Sequence, residues 1–172
     1  KFEFEENEKF ISIEPDHNSL KVHFELDYST KVIGNQKNTI NFSDKDLTDV
    51  YTSRTFCLYE DIEKIKKIGL AKGGSLKNAI VVKNNEVVND GGLRNIKEFV
   101  NHKILDLSGD FLLSGYRILG SVTCVHGGHS LSNLFLRNLL NDRSNYSITE
   151  LEDPKPTKSY FKIATDKLVV NA

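Results

Sequence analysis

Apolar and polar residues alternate over Phe2–Glu5, Lys9–Ile13 and Leu20–Asp27, the period of two that a half-buried β-strand imposes. Turn formers separate these runs, Glu6-Asn7-Glu8 first and Pro15-Asp16-His17-Asn18 second. The pattern then loosens into a loop over Ser29–Asn38, with one more short strand predicted at Thr39–Phe42. Ser43 has the position of an N-cap, and Asp44 and Asp46 stand where carboxylates favour the helix dipole. A helix is therefore predicted from there to about Thr52.

Arg54–Leu58 reads as extended. Ile62, Ile65 and Ile68 share one side of a short charged helix that Gly69 stops. After the Gly73-Gly74-Ser75 loop, Asn78–Lys83 is a second apolar strand, so strand, helix and strand form a small βαβ unit. Asn84-Asn85 turns the chain into a hairpin strand near Val87 and Val88, and Asp90-Gly91-Gly92 turns it again. The strongest helical pattern runs from about Ile96 to Gly115, with Ile96, Val100, Ile104, Leu107 and Phe111 on one stripe. A buried strand is predicted over Ile118–Val125, then a His126-Gly127-Gly128 loop and an apolar helix over Ser130–Leu140. The tail after Asp142 is polar and carries Pro154 and Pro156. These elements predict an α+β domain: a mostly antiparallel sheet packed on two helices, with a small βαβ insert over about residues 57–83.

Composition narrows the partners. The 172 residues are 38% hydrophobic and 27% charged, the balance of a folded domain. Lys and Arg total 23 against 24 Asp and Glu, which argues against bulk nucleic-acid coating. The longest apolar stretch, Phe111–Val125, is broken by Gly115, Arg117 and Gly120 and is too short to span a bilayer. No charged n-region followed by an apolar h-region opens the chain, so secretion is not expected. Cys57 and Cys124 sit in apolar surroundings and read as two reduced, buried thiols, so a cytoplasmic address is expected. Met is absent even at position 1, from which an excised piece of something longer is expected.

Candidate chemistry concentrates on the long helix. His102 and Asp106 are four residues apart and Asp110 continues the line, so the three side chains project from one face. An imidazole and a carboxylate at that spacing can hold one metal ion, although a zinc site needs three or four ligands. The competing reading is a His-Asp ion pair on a solvated face. Phe99 and Leu113 fall on the same side, so another domain, a partner or a ligand is expected to cover it. His126 and His129 flank two glycines before an apolar helix, a place for an anion or simply for two exposed imidazoles. Lys103 is within reach of a phosphate or merely solvated. Gly73-Gly74-Ser75 lacks the Gly-Lys-Thr of a P-loop. The two cysteines have neither the spacing nor the basic neighbours of a reactive pair.

The order of these segments resembles one family. Ser53-Arg54-Thr55-Phe56, Gly73-Gly74-Ser75, Asn78-Ala79-Ile80-Val81-Val82, Gly92-Leu93-Arg94, Glu98-Phe99-Val100, His102-Lys103-Ile104-Leu105-Asp106 with Gly109-Asp110, and Gly128-His129 are similar to the second domain of the UDP-3-O-acyl-N-acetylglucosamine deacetylases. These are zinc amidases of lipid A synthesis in Gram-negative bacteria. The resemblance implies that His102 and Asp106 are two of three protein zinc ligands. It implies that His129 stabilises the oxyanion and the leaving amine as an imidazolium, that Asp110 holds it charged and oriented, and that the Thr55 hydroxyl bonds the intermediate.

Substrate residues follow in the same way. Lys103 resembles a lysine at the sugar-diphosphate region, Lys9 a diphosphate-binding lysine, and Asp27-Tyr28 an Asp-Phe pair that holds uracil. Arg54 and Phe56 belong to the same substrate-side block, and Ile62, Ala71, Ser75 and Val81 are expected beside the acyl passage formed by the insert. The implied partners are a UDP-linked acylated glucosamine and a first domain that is expected to be absent from this chain.

Two departures stand out. The family's third ligand and general base lie in a Glu-His motif of the first domain, and this chain has no Glu-His dipeptide; His17 and His23 match no such motif. His126 stands where relatives usually carry a phosphate-contacting lysine. The chain alone is therefore expected to be inactive and to bind zinc weakly. The alternatives are a non-catalytic acyl- or nucleotide-binding module, and an unrelated domain in which His102 and Asp106 only pair with each other.

Overall fold

The structure is a computed structural model and describes residues 1–150 of the chain. Pro154 and Pro156, placed in the polar tail, lie outside the described residues. The fold is α+β, as the patterning predicts. Strands β1 (Phe2–Glu6), β2 (Lys9–Pro15), β3 (Leu20–Asp27), β4 (Asn35–Asn41) and β8 (Gly120–Val125) form a five-stranded sheet in the order β1-β2-β8-β3-β4. All its pairings are antiparallel except β3 with β8, which run parallel, with Val22 opposite Val122 and Phe24 opposite Cys124. Alternation sends Val22, Phe24 and Leu26 inward from the central β3, where all three are buried.

Two helices, α3 (Glu98–Leu112) and α4 (His129–Asn141), supply the helical side of the same core. Val100, Ile104, Leu107 and Phe111 of α3 are buried, and Phe111 stacks on Phe135 of α4 at 5.9 Å. Burying side chains of this size stabilises by roughly 1.5–3 kcal/mol each before chain entropy is counted.

The insert has the βαβ form predicted for it. Strand β5 (Thr55–Leu58) leads through a 3-10 turn at Tyr59–Asp61 into α2 (Ile62–Lys67), and β6 (Ala79–Lys83) returns parallel to β5. A two-residue β7 (Glu86–Val87) completes a second sheet in the order β5-β6-β7. Ile80 and Val82 reach into the main core, which ties the insert to the domain. Asn89 fastens its inner edge, accepting from the Val81 amide at 2.9 Å and donating to the Leu76 and Ala79 carbonyls at 2.7 Å each.

Several local expectations change. Strand β4 starts inside the stretch read as a loop, because its partly covered positions include Gln36 and Asn38, which hide the alternation. Asn38 donates its side-chain amide to Asn101 of α3 at 2.8 Å, so a polar pair joins β4 to the helix. The helix predicted from Ser43 is only α1 (Thr48–Tyr51). Ser43 gives both its amide and its hydroxyl to the Asn41 side chain, and Asp46 accepts from the Thr48 amide instead. Ile96, placed on the core stripe, is 85% exposed. Asn95 accepts from the Lys97 and Glu98 amides, so α3 starts after Ile96 and its helical phase does not extend back to that residue.

Candidate functional site

Helix α3 carries Glu98, His102, Asp106 and Asp110 at intervals of four, so they climb one face turn by turn. His102 is 16% exposed, and its Nδ1–H donates to the Ser53 carbonyl at 3.3 Å. That bond leaves the Nε2 lone pair directed at Asp106, 3.3 Å from Oδ1. Burial pushes the His102 imidazole below the usual histidine range; the Asp106 charge opposes the shift without reversing it.

His129 comes from the other side, as the first residue of α4. Its Nδ1 lies 2.9 Å from each Asp110 carboxylate oxygen, and its Nε2 lies 4.0 Å from Asp106 Oδ2. Lys103 Nζ is 4.0 Å from the same Asp106 oxygen. Asp106 is therefore the hub of the face, with two imidazoles and an ammonium around it.

The loop that delivers His129 is tightly built. His126 takes a left-handed φ of 53° and its amide donates to the Glu25 carbonyl at 2.9 Å. Gly127 follows directly over the buried Cys124 sulfur, and a Cβ there would overlap that atom. Burial pushes the Cys124 thiol up to about 12. Cys57 is half-buried and its thiol is raised by burial and by Asp61. Both thiols are free; Cys124 is buried as expected, whereas Cys57 is only partly covered.

Beside His102 an aromatic row extends from the insert. Tyr28 meets Phe56 edge-on at 5.7 Å, Phe56 meets Phe99 at 5.0 Å, and Phe56 lies 6.5 Å from the His102 ring. Phe99, expected on a face needing an outside cover, is fully buried because β5 of the same chain lies over it. Leu113, expected beside it, is 75% exposed.

The other predicted residues fall in three places. Lys9, Asp27 and His126 line one shallow cleft with Asn7 and Glu8, at the end of the sheet. Ile62 is half-buried, Ala71 and Ser75 are exposed, and Val81 is buried in β6. Ala71 has a φ of 54°, and the Ser75 amide and hydroxyl both bond the Asn78 side chain. Thr55 is exposed at the head of β5. Arg54 does not face that surface. It is buried, with Nε and Nη2 on Glu98 at 2.8 and 3.1 Å and Nη2 also on the Gly92 carbonyl at 2.8 Å. Glu98 and Ser53 have roles the sequence reading did not assign; the signal for Glu98 was its position one turn before His102.

The donor set passes a simple test for a small cation. Two ligands bound tetrahedrally at about 2.0–2.1 Å lie about 3.3 Å apart, which is the His102–Asp106 separation. Among the described residues, no three His, Cys, Asp or Glu side chains converge as a metal cage. The pair by itself offers two of the three or four ligands that a zinc ion takes.

Comparison with known proteins bears on this arrangement directly. Residues 1–141 match the family model described as LpxC, UDP-3-O-acyl N-acetylglycosamine deacetylase. The chain belongs to this family. A UDP-3-O-acyl-N-acetylglucosamine deacetylase of Helicobacter pylori (strain ATCC 700392 / 26695) is 39% identical over 153 residues, covering 88% of this chain and 52% of the relative. The protein of that name from Campylobacter jejuni subsp. doylei is 36% identical over 162 residues, covering 94% and 54%. That from Aliarcobacter butzleri is 35% identical over 164 residues, covering 95% and 54%. This LpxC-family chain spans about half the length of the curated relatives it matches. Among its described residues, no helix is long and apolar enough to cross a membrane.

Proposed function

We propose that this chain is the second half of a zinc-dependent deacetylase acting on a UDP-3-O-acyl-N-acetylglucosamine, and that its α3 face supplies part of the catalytic centre. The observation that carries the reading is the convergence of His102, His129 and Lys103 on Asp106, on a chain of the LpxC family. His102 Nε2 and Asp106 would hold the zinc ion, with the third protein ligand and the general base contributed by a first domain. Bound zinc polarises an amide carbonyl and acidifies a water molecule.

The chain's own residues do the rest. Asp110 holds His129 by Nδ1, which leaves Nε2 to hold a proton beside the reacting group and pass it to the departing amine. A protonated His129 and the Thr55 hydroxyl donate hydrogen bonds to the developing oxyanion. Lys103, Lys9 and His126 offer positive groups to the diphosphate, and Asp27 with Tyr28 receives the uracil. The insert, with Phe56, Ile62, Ala71, Ser75 and Val81, borders the acyl chain.

Reassembly tests this. The chain is mixed with the separately purified first half of the Helicobacter pylori relative, and acetate release from the nucleotide substrate is followed. Turnover is expected from the mixture and from neither half alone. A folded, associated mixture that binds substrate without releasing acetate would contradict the reading and leave a binding module.

A further inference from the structure

Glu98 is fully buried, yet its carboxylate accepts four hydrogen bonds. Two come from the Arg54 guanidinium and are what a buried ion pair requires. The other two come from backbone: the Arg94 amide at 2.6 Å and the Arg54 amide at 3.1 Å. The Arg54 amide belongs to the Ser53–Arg54 peptide unit, whose carbonyl is the acceptor for His102 Nδ1–H at 3.3 Å. One peptide unit therefore reaches α3 twice, by its N–H to Glu98 and by its C=O to His102 one turn later, about 6 Å along the axis.

A peptide unit is planar, so fixing its N–H direction fixes its C=O direction. Neighbouring bonds do not do this. Ser53 amide to the Val50 carbonyl, Ser53 hydroxyl to the Asp49 carbonyl, and Arg94 to the Thr52 carbonyl hold the chain before the unit, and none of them uses its N–H or its C=O. On the far side the Glu98 carboxylate takes the unit's own N–H, and β5 pairs with β6 from Thr55 onward.

We propose that Glu98 is a positioning residue for His102, acting through the Ser53–Arg54 peptide to keep the imidazole in its Nδ1–H form with Nε2 aimed at Asp106. The consequence for metal binding rests on the function proposed above; the effect on the imidazole does not.

The test is nitrogen NMR of the histidine rings in the metal-free 172-residue chain, with zinc alone as the probe in a second arm. Wild type should give a single Nδ1–H form for His102. In Glu98→Gln the His102 nitrogens should move toward a mixture of forms while the His129 signals, set by Asp110, stay in place. The zinc Kd should rise about tenfold, the usual scale for losing a partner that orients a ligand. An unchanged His102 pattern in Glu98→Gln would overturn the proposal. If Glu98→Gln loses both histidine signatures through unfolding, Glu98→Asp decides, since it keeps the buried charge and draws the carboxylate back from the Arg54 amide. There, a changed His102 with an intact His129 supports the proposal, and two intact signatures refute it. Wild-type chain that shows the Nδ1–H form but no His102-dependent zinc binding would count against the metal site and not against the positioning.

Discussion

His102 and His129 face the same carboxylate, Asp106, from opposite sides, and the molecule holds them differently. His102 is 16% exposed, donates Nδ1–H to a backbone carbonyl, and is pressed toward its neutral form by burial. His129 is 70% exposed and sits 2.9 Å from both oxygens of Asp110. A neutral carbonyl partner in a dry setting fixes a lone pair, which is what a metal ligand needs. A carboxylate partner at an open edge suits a group that must hold and pass a proton. Facing the same carboxylate thus says little about role; the partner of Nδ1 and the access of water separate the two.

The sharpest break between the two sides is His102→Ala. In a reassembled enzyme, zinc binding and turnover should both be lost, as measured by metal analysis and acetate release. His129→Ala should lower kcat by about 10²–10³-fold while the zinc content stays that of wild type. Equal zinc loss in both variants would erase the distinction.

Gly127→Ala acts on the His129 side alone. Its Cβ would overlap the Cys124 sulfur, so thermal unfolding should show a loss of about 1–3 kcal/mol. His102 should keep its ring-nitrogen signature in that variant.

The acid limb of stability reports on the His102 side. Burial pushes the Glu98 carboxyl up, but the Arg54 guanidinium and the Arg94 and Arg54 amides overcome this and hold it below the usual glutamate range. A carboxyl depressed on folding contributes stability that is present above its unfolded pKa and is lost as pH falls through the folded one. Tm should therefore fall as pH drops below the ordinary glutamate range, and Glu98→Gln should flatten that fall. The smallest effect is expected from Leu113→Ser, on the open end of α3, with stability within about 0.5 kcal/mol of wild type.

The parts legible in the sequence are those set by period and spacing. The alternation of β1, β2 and β3, the βαβ form of the insert and the side-by-side projection of His102, Asp106 and Asp110 all follow from local geometry. Strand β4 was hidden because Asn38 meets Asn101 across the layer. Ile96 was misplaced because Asn95 delays the start of α3. The cover over Phe99, and the Ser53–Arg54 peptide that joins Glu98 to His102, depend on contacts between segments more than forty positions apart. No local pattern encodes those, and they are what turns a spacing into a site.

The most direct measurement is calorimetric titration of zinc into the metal-free 172-residue chain and into its His102→Ala variant. Weak binding to the chain that disappears in the variant is the result expected from the proposal that His102 and Asp106 are two ligands of a zinc site. Superimposable isotherms for the two proteins would contradict it.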